Sequence, residues 1–540
     1  MRLLRVEQPP GPVVRLPAHL MHCVEQMRVG LHKPLEQLLD LHALRSMWFM
    51  VNMQLKEVNM QLKESIYNIR IGLLGGKCLL FNSLSRGLCL LESDEVEILD
   101  RISDSYSRQN KLVHQLLGQG FVLPVSVDEL AVVKKKYDAH RYDSGAVTLT
   151  VCPTLACNFG CDYCFQGADK SVQKMSVEVQ DGIIQLYHRL LEQLPGLHTL
   201  RSTWYGGEPL LKPDIIYNLA DRLIETNKSR NINYTASMIS NGSRMTRSIA
   251  EKLYSRGLRS VQITLDGARE DHDSRRHYLS KKGSYDTIVS NMKEWIYEFP
   301  IQVDLRVNID ERNKDGVKSL IDDLVAEGLS NLPNLKMYFA PVESVTLGCH
   351  AVADKMIKKM QYGQLESDLL RYAFENGLAD LPYPPYFMGV CSALRPYDFI
   401  VVPNGDVHKC WDTVSFPNKR IGSVFEMDAL FQNKSPLQQQ WEQFNPFDNS
   451  TCRSCKILPN CSSFCAHKFV HASDTLGEAA LPCPSLKYSI NEKIILRAEK
   501  EGFITKDDYS PDAIRTNPLA LCSEVFVKEK YLRDVEYAYS

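Results

Sequence analysis

Strand-like and helix-like patterns of hydrophobic residues alternate along the middle of the chain. Short apolar runs of strand character are separated by segments whose apolar residues recur at the helical period. One such segment, 176–194, begins with a serine suited to a helix N-cap. Six strands alternating with helices predict an α/β domain whose parallel sheet has right-handed crossovers and forms an open or partial (β/α)6 barrel. The strand-like runs are AVTLTV (146–151), TLRSTWY (199–205), NYTASMI (233–239), SVQITL (260–265), IQVDLRVNI (301–309) and LKMYFA (335–340).

A smaller unit is predicted at 66–140. Three strand-like runs, SIYNIRIGL, KCLLFNS and GLCLLES, precede helical segments near 93–104, 108–118 and 127–138. This order is typical of a winged-helix-like module, which could hold a peptide by adding a strand to its sheet edge. A structural cap on the following domain fits the pattern equally well.

Residues 1–65 contain a tandem seven-residue repeat, VNMQLKE at 51–57 and 58–64. The repeat places its valines and leucines on one helical stripe, so we predict a helical extension. An alternative is that translation starts at Met53 or Met60 and the upstream residues are not part of the protein. At the other end, 491–540 is predicted to be a C-terminal helical tail.

Unusual residues collect where the predicted strands end. The first strand is followed by CPTLACNFGCDYC, the second by GGEP at 206–209, the third by SNG at 240–242 and the fourth by DG at 266–267. In parallel α/β folds, ligands bind at the carboxyl ends of the strands. The sequence therefore predicts one shared active site at this edge.

Composition narrows the class of protein. The 540 residues carry a net charge of −2, which gives no support for a nucleic-acid binder. We see no apolar run of about 18 residues and no secretory signal, so we expect no membrane span and a cytoplasmic location. Sixteen cysteines in such a chain indicate metal ligands or redox groups before disulfides.

Cys157, Cys161 and Cys164 have the spacing C-x3-C-x2-C. Three thiolates in one loop can ligate three irons of a 4Fe–4S cluster and leave the fourth iron open to bind and activate another ligand. Zinc is the structural alternative, since thiolates suit it too.

With GGEP after the next strand, these cysteines resemble the radical S-adenosylmethionine (SAM) enzymes over about 146–490. The resemblance implies a TIM-like partial barrel at 146–345. It also implies a cluster on Cys157, Cys161 and Cys164 whose open iron chelates SAM, and a 5′-deoxyadenosyl radical formed when an electron cleaves SAM. The implied SAM contacts are Tyr163 by the adenine, Gly206, Gly207 and Glu208 at the amino group, Ser237, and Arg276 at the carboxylate. A solvated surface charge is the alternative for Arg276.

A second cysteine set has the order C-x13-G-x4-C, C-x2-C-x5-C-x3-C and a final C. It resembles the SPASM extension of the same family, here at 385–490, which carries two auxiliary 4Fe–4S clusters. The resemblance assigns Cys391, Cys410 and Cys465 to the first auxiliary cluster, and Cys452, Cys455, Cys461 and Cys483 to the second.

Two departures from the sulfatase-maturing members concern the first auxiliary cluster. Tyr397 stands where those members have a fourth cysteine, so the iron is open or takes an outside ligand such as Cys349 or a substrate thiol. Their catalytic aspartate directly follows the second ligand, whereas here Trp411 follows Cys410 and Asp412 comes next. In a strand that shift would turn the side chain to the other face. Asp412 and Cys349 are nevertheless the catalytic candidates.

Two further groups are expected to have no chemical role. The remaining cysteines include Cys522, and most of them are expected to be small buried hydrophobes. His467 and His471 flank Cys465, and surface or packing roles are expected for both.

By resemblance, the expected function is hydrogen abstraction from a peptide, which modifies a ribosomally made precursor by a cross-link, an oxidation or a backbone rearrangement. The expected partners are that peptide or a protein substrate, and a reductant such as flavodoxin or ferredoxin. An anaerobic sulfatase-maturating enzyme that forms formylglycine is the first alternative. An iron–sulfur sensor or scaffold without turnover is the second.

Overall fold

The computed structural model describes residues 61–103, 110–168, 170–380, 384, 389–462, 465–475 and 482–522. Among these residues, no helix combines the length and the hydropathy that a bilayer crossing requires.

The N-terminal unit contains two small antiparallel sheets and three helices. Strands β2, β3 and β4 form one sheet in that order, and β1 pairs with β5 to form the other. The three strands and three helices expected from the sequence pattern are present, whereas the β1–β5 pair was not expected. The elements are β1 (Leu62–Glu64), β2 (Asn68–Gly72), β3 (Cys78–Asn82), β4 (Leu88–Leu91), α1 (Ser93–Asp100), α2 (Lys111–Gly118), β5 (Val122–Pro124) and α3 (Glu129–Arg141).

The helical extension predicted for 1–65 is wrong at its end. Leu62, Lys63 and Glu64 of the second repeat form β1 and pair with Pro124, Leu123 and Val122. A strand partner distant in sequence overrides the local helical pattern here. Residues 1–60, with the first repeat and both alternative start sites, lie outside the described residues.

The central sheet confirms the predicted parallel α/β architecture. Six parallel strands, β6 to β11, lie side by side in chain order. Their apolar side chains and those of the intervening helices form the largest core, to which Leu149, Ile183 and Leu219 belong. The elements are β6 (Ala146–Val151), α4 (Val177–Gln193), β7 (Thr199–Trp204), α5 (Pro213–Lys228), β8 (Asn233–Ser240), α6 (Arg247–Tyr254), β9 (Leu258–Thr264), α7 (Arg269–Arg275), α8 (Tyr285–Trp295), β10 (Gln302–Ile309), α9 (Val317–Ala326) and β11 (Leu335–Pro341).

The C-terminal region adds strands to the same sheet. Strand β12 runs parallel to β6, with Phe399 opposite Leu149, and β13 and β14 continue the sheet antiparallel. The nine described strands thus form an open sheet with β11 at one edge and β14 at the other. The elements are α10 (Lys359–Glu375), β12 (Phe399–Val401), β13 (Asp406–His408), β14 (Gly422–Ser423), α11 (Met427–Phe431), α12 (Pro436–Gln443), α13 (Ser450–Ser454), α14 (Leu458–Cys461), α15 (His467–Val470) and α16 (Ile490–Lys500).

The N-terminal unit packs on the cysteine-rich C-terminal region. One apolar cluster joins Tyr67 and Phe81 of the unit to Ile457 and Ile494. Arg141, at the end of α3, donates hydrogen bonds to backbone carbonyls of the C-terminal region, among them that of Phe444 at 2.7 Å. These contacts fix the N-terminal unit against the region that carries the second cysteine set.

The helical tail predicted for 491–540 is wrong beyond α16. The helix ends before Gly502, whose positive φ of 77° favours glycine and terminates helices. The chain then returns across the C-terminal region, where Cys522 forms an antiparallel bridge with Cys455. Residues 523–540 lie outside the described residues.

Candidate active site and metal centres

The loop after β6 brings three thiols together. Burial raises the pKa of Cys157. Burial, opposed by the Arg276 guanidinium and reinforced by the other two thiols, raises the pKa of Cys161 to about 11. The backbone N–H of Phe159 donates to the Cys157 sulfur at 3.4 Å. Three neighbouring thiols of one loop fit the donor set of a 4Fe–4S cluster with an open iron.

The GGEP loop after β7 packs directly on this cysteine loop. The Gly207 N–H donates to Thr154 O at 3.3 Å, and the Glu208 N–H donates to Ala156 O at 2.9 Å. A Cβ on Gly206 would lie 2.3 Å from Thr154 O, and one on Gly207 would lie 2.2 Å from Ala156 O. Both glycines are therefore required for the close approach of two backbones, whatever else they contact.

Glu208 ties the GGEP loop to the SNG loop after β8. Its buried carboxylate accepts hydrogen bonds from Leu210 N at 2.9 Å, Ser240 Oγ at 3.0 Å and Asn241 N at 2.7 Å. These bonds place Asn241 Nδ2 3.9 Å from the Cys157 sulfur. In the structure Glu208 thus positions loops around the cysteines, whereas the sequence suggested a contact with SAM.

Tyr163 and Arg276 meet in a buried polar network. The Tyr163 hydroxyl donates to the Asp266 carboxylate and accepts from Arg276 Nη1 at 2.6 Å and Asn308 Nδ2 at 3.3 Å. Arg276 is only 9% exposed, so the interpretation as a surface charge is wrong. Sequence reasoning missed Asn308, at the end of β10, and noted Asp266 only through the DG after the fourth strand.

Other polar side chains line one face of the sheet. Ser237 lies opposite Thr203, and their hydroxyls are 3.0 Å apart. Farther along the sheet, Tyr338 donates to Gln262 at 2.6 Å and accepts from Arg306 at 3.4 Å. Gln262 and Arg306 alternate with apolar residues in their strands. This pattern could have identified them as residues of the polar face, but the sequence-based prediction did not include them.

Asp412 lies in a 3₁₀ turn, Trp411–Thr413, and not in a strand. The argument that a one-residue shift would turn the side chain to the other face held for a strand, so it does not apply to this turn. Trp411 packs 5.0 Å from Tyr205, and an Asp412 oxygen lies 4.0 Å from the Cys410 sulfur. Burial raises the pKa of Asp412, and the nearby His467 and Arg306 oppose the shift.

Cys349 is fully buried after β11. Its thiol lies 3.3 Å from Thr346 O, in an apolar patch with Val342 and Val352 against which Tyr163 packs. The structure thus places this thiol beside the first cysteine loop.

The first auxiliary centre, defined as Cys391, Cys410 and Cys465, forms a group in the structure. Burial raises the pKa of Cys410, and Asp412 and the other two thiols add to the shift. Tyr397, the residue at the position of a fourth cysteine, packs against the core of the sheet.

The second auxiliary centre, defined as Cys452, Cys455, Cys461 and Cys483, contains an unexpected fifth thiol. Burial raises the pKa of Cys452, and Cys483, Cys461 and Cys522 reinforce the shift. Lys487 Nζ lies 3.1 Å from the Cys522 sulfur. Cys522 is therefore not one of the buried hydrophobes expected for most of the remaining cysteines, because the fold returns this residue from outside the motif to the centre.

Glu343, after β11, joins the sheet to the C-terminal region through two buried lysines. One carboxylate oxygen accepts from Lys359 Nζ and from Lys468 Nζ, each at 2.8 Å. Burial alone would raise the pKa of Glu343, but the two ammonium groups lower it to about 2. Lys468 follows Cys465 closely, so this triad fixes the first auxiliary centre relative to the sheet.

Comparison with known proteins agrees with this geometry. Residues 151–324 match the family model of the radical SAM superfamily. This part of the chain is a radical SAM domain. The match covers the first cysteine loop, GGEP, SNG and the DG after β9.

Curated relatives of this radical SAM enzyme include two sulfatase-maturating enzymes. The cysteine-type anaerobic sulfatase-maturating enzyme of Clostridium novyi (strain NT) is 25% identical over 331 residues, covering 57% of this chain and 84% of the relative. The serine-type enzyme of Bacteroides thetaiotaomicron is 23% identical over 372 residues, covering 60% of this chain and 83% of the relative. The radical SAM enzyme is homologous to these maturating enzymes.

A solved structure shares the fold. The structure of anSMEcpe with bound AdoMet and Kp18Cys peptide superposes with a TM-score of 0.50 at 18% identity, and covers 66% of this chain and 97% of that chain.

The glycine packing of the radical SAM enzyme gives a first prediction. Gly207→Ala should lower stability by about 1–3 kcal/mol, because its Cβ meets two backbone carbonyls that cannot move independently. Iron bound by the first cysteine loop should fall as well. Thermal unfolding and iron analysis measure both effects.

Gly196→Ala is the matched control, since no described atom lies within 4 Å of a Cβ built there. Equal behaviour of the two variants would contradict the close-approach role of Gly207.

The Glu343 triad gives a second prediction. Glu343→Gln should destabilise the protein by about 2–4 kcal/mol, because two buried ammonium groups lose their carboxylate. The lowered pKa means that this stabilisation is complete above the ordinary pKa of 4.5 and is lost as the pH falls towards 2. The difference between wild type and variant, measured by denaturant unfolding, should therefore shrink in acid.

Glu327→Gln, which breaks an exposed pair with Lys293, is the control and should cost less than about 1 kcal/mol. A pH-independent difference for Glu343→Gln would contradict the charge interpretation.

Proposed function

We propose that this radical SAM enzyme abstracts hydrogen from a peptide substrate and holds three 4Fe–4S clusters. The observation that carries the proposal is the presence of three groups of neighbouring thiols, the first of them within the matched domain. A cluster on Cys157, Cys161 and Cys164 would supply the electron that cleaves SAM into methionine and a 5′-deoxyadenosyl radical. Flavodoxin or ferredoxin is the proposed source of that electron.

The chain's own residues are proposed to bind and orient SAM. Arg276 Nε is buried and has no hydrogen-bond partner in the described part of the chain. A guanidinium with a free N–H can donate to the SAM carboxylate, while its Nη1 stays on Tyr163. Tyr163, which precedes Cys164 in the cysteine loop, is thereby held in place, and its ring is proposed to contact the adenine. Ser237, on the polar face of the sheet, is proposed as a further contact.

Asp412 is the proposed proton acceptor. Its carboxylate lies 4.0 Å from the Cys410 sulfur of the first auxiliary centre, and the charges of His467 and Arg306 oppose the rise in its pKa that burial causes. Once hydrogen has been removed from a substrate carbon, a proton from the attached thiol, hydroxyl or amide must leave before the second electron departs. A positioned carboxylate can take it, and general bases typically contribute 10²–10⁴-fold. The auxiliary centres are proposed to accept the electron.

Two peptide substrates are supported by different observations. Homology to cysteine-type and serine-type maturases favours oxidation of a sulfatase Cys or Ser to formylglycine. Tyr397 at the fourth-cysteine position and the displaced Asp412 favour modification of a ribosomally made precursor peptide. For that substrate, an edge of the β2–β3–β4 sheet is the proposed docking site for the leader, by strand addition.

The deciding experiment is mass spectrometry of candidate substrates co-expressed with the enzyme. A short precursor peptide encoded next to the enzyme should lose hydrogens or rearrange, whereas a sulfatase peptide should stay unmodified. Formylglycine in the sulfatase peptide would establish the maturase alternative. If neither candidate changes although SAM is cleaved, the peptide assignment fails.

The cluster count gives a third prediction. Anaerobically reconstituted protein should contain about twelve irons and twelve sulfides per chain. Cys157→Ala with Cys161→Ala and Cys164→Ala should remove about a third of both, as measured by iron and sulfide analysis. Stoichiometric zinc with iron near zero would contradict the cluster assignment.

The role of Asp412 gives a fourth prediction. Asp412→Asn should slow substrate modification by about 100-fold or more but leave 5′-deoxyadenosine formation intact, because the proton leaves after SAM is cleaved. Chromatography of both products in one reaction tests this.

Asp428→Asn alters an exposed carboxylate of α11 and should change neither product. Parallel loss of both products in Asp412→Asn would argue for a structural role of Asp412.

A further inference from the structure

We propose that His467 completes the first auxiliary centre, with its Nδ1 as the fourth ligand beside the thiolates of Cys391, Cys410 and Cys465. The proposal rests on the cluster assignment made above for these three cysteines. It replaces the open iron, for which the cysteine count alone allowed several outside ligands.

The tautomer of His467 is fixed by its surroundings. Nε2 lies 3.2 Å from the backbone oxygen of Val345. A carbonyl oxygen only accepts hydrogen bonds, so Nε2 carries the hydrogen and the neutral ring keeps a lone pair on Nδ1. Metal-ligating histidines characteristically donate their other ring N–H to a carbonyl or carboxylate in this way.

Nδ1 is buried and has no hydrogen-bond partner among the described residues. The side chain of His467 is only 1% exposed, so water does not solvate it freely. A buried lone pair without a donor normally costs about 1–3 kcal/mol. Coordination of a metal by Nδ1 would remove that cost.

The His467 ring lies close to a cysteine of the first auxiliary centre. A ring nitrogen of His467, the Cys410 sulfur and an Asp412 oxygen all lie within 4.8 Å of one another. His467 also follows Cys465 by two residues, so one short segment supplies two donors.

Competing donors have other positions in the structure. Tyr397 packs against the core of the sheet, and the Cys349 thiol lies against Thr346 beside the first cysteine loop. Asp412 interacts electrostatically with Arg306, and it is proposed above as the proton acceptor. Of these candidates, His467 has an unpartnered ring nitrogen and lies beside Cys410.

Histidine ligation has two consequences. Replacing a thiolate by a neutral imidazole removes negative charge from the centre, which raises its reduction potential, as in Rieske centres. The centre is also closed to a substrate thiol, so it accepts an electron without binding the peptide.

The test is pulsed electron paramagnetic resonance of the full-length reconstituted chain carrying the triple alanine change in the first cysteine loop. About eight irons should remain, in the two auxiliary centres. The reduced protein should show the coupling of a directly bound nitrogen, and growth with ¹⁵N-histidine should change that coupling. His467→Ala should abolish it, and an added small thiol should then alter the spectrum.

His471→Ala is the matched control, since that ring lies 5.0 Å away and also has a buried unpartnered nitrogen. It should keep the coupling. His467→Cys should retain the irons and lower the reduction potential of the centre.

Two results would overturn the proposal. One is eight irons without histidine coupling in protein that keeps His467, and the other is coupling that survives His467→Ala. About four irons would instead overturn the cluster assignment itself. The isotope arm needs no change at His467, so misfolding of a variant leaves the test intact.

Discussion

The rest of the site depends on the contact between two backbones, the cysteine loop after β6 and the GGEP loop after β7. Gly206 and Gly207 allow a separation that any Cβ would prevent. Glu208 then extends the constraint to the SNG loop, so three successive βα connections form one rigid edge. The thiols of Cys157, Cys161 and Cys164 are placed by this edge, and a cluster would be held by a scaffold already formed.

Charge is organised around the same edge. The Tyr163–Asp266–Arg276 network and the Glu343–Lys359–Lys468 triad are both buried or nearly so. Burial of unpaired charges would be costly, so each network holds opposite charges together, while Arg276 Nε has no partner among the described residues. The first network lies at the proposed SAM site, and the second joins β11 to the segment that carries Cys465. The positions of the two cluster regions are thus coupled through charged contacts and not through apolar packing alone.

Local patterns predicted the sheet and the thiol motifs because both are encoded over short stretches. The six parallel strands follow from strand-like runs that alternate with helix-like segments. The spacing of the first three cysteines can be recognised within one loop. Features that depend on distant partners were not predicted. Leu62–Glu64 became a strand through pairing with β5, and Cys522 reached the second auxiliary centre through a returning chain. His467 looked like a packing residue until its buried, unpartnered nitrogen could be seen.

The proposed function requires that the rigid edge after β6 and β7 hold a centre that cleaves SAM. The most direct measurement is 5′-deoxyadenosine formed by the reconstituted protein with SAM and dithionite under strict anaerobiosis. We expect 5′-deoxyadenosine from the wild type and none from Cys161→Ala, although both should retain the auxiliary irons. A fully iron-loaded wild type that forms no 5′-deoxyadenosine would contradict it.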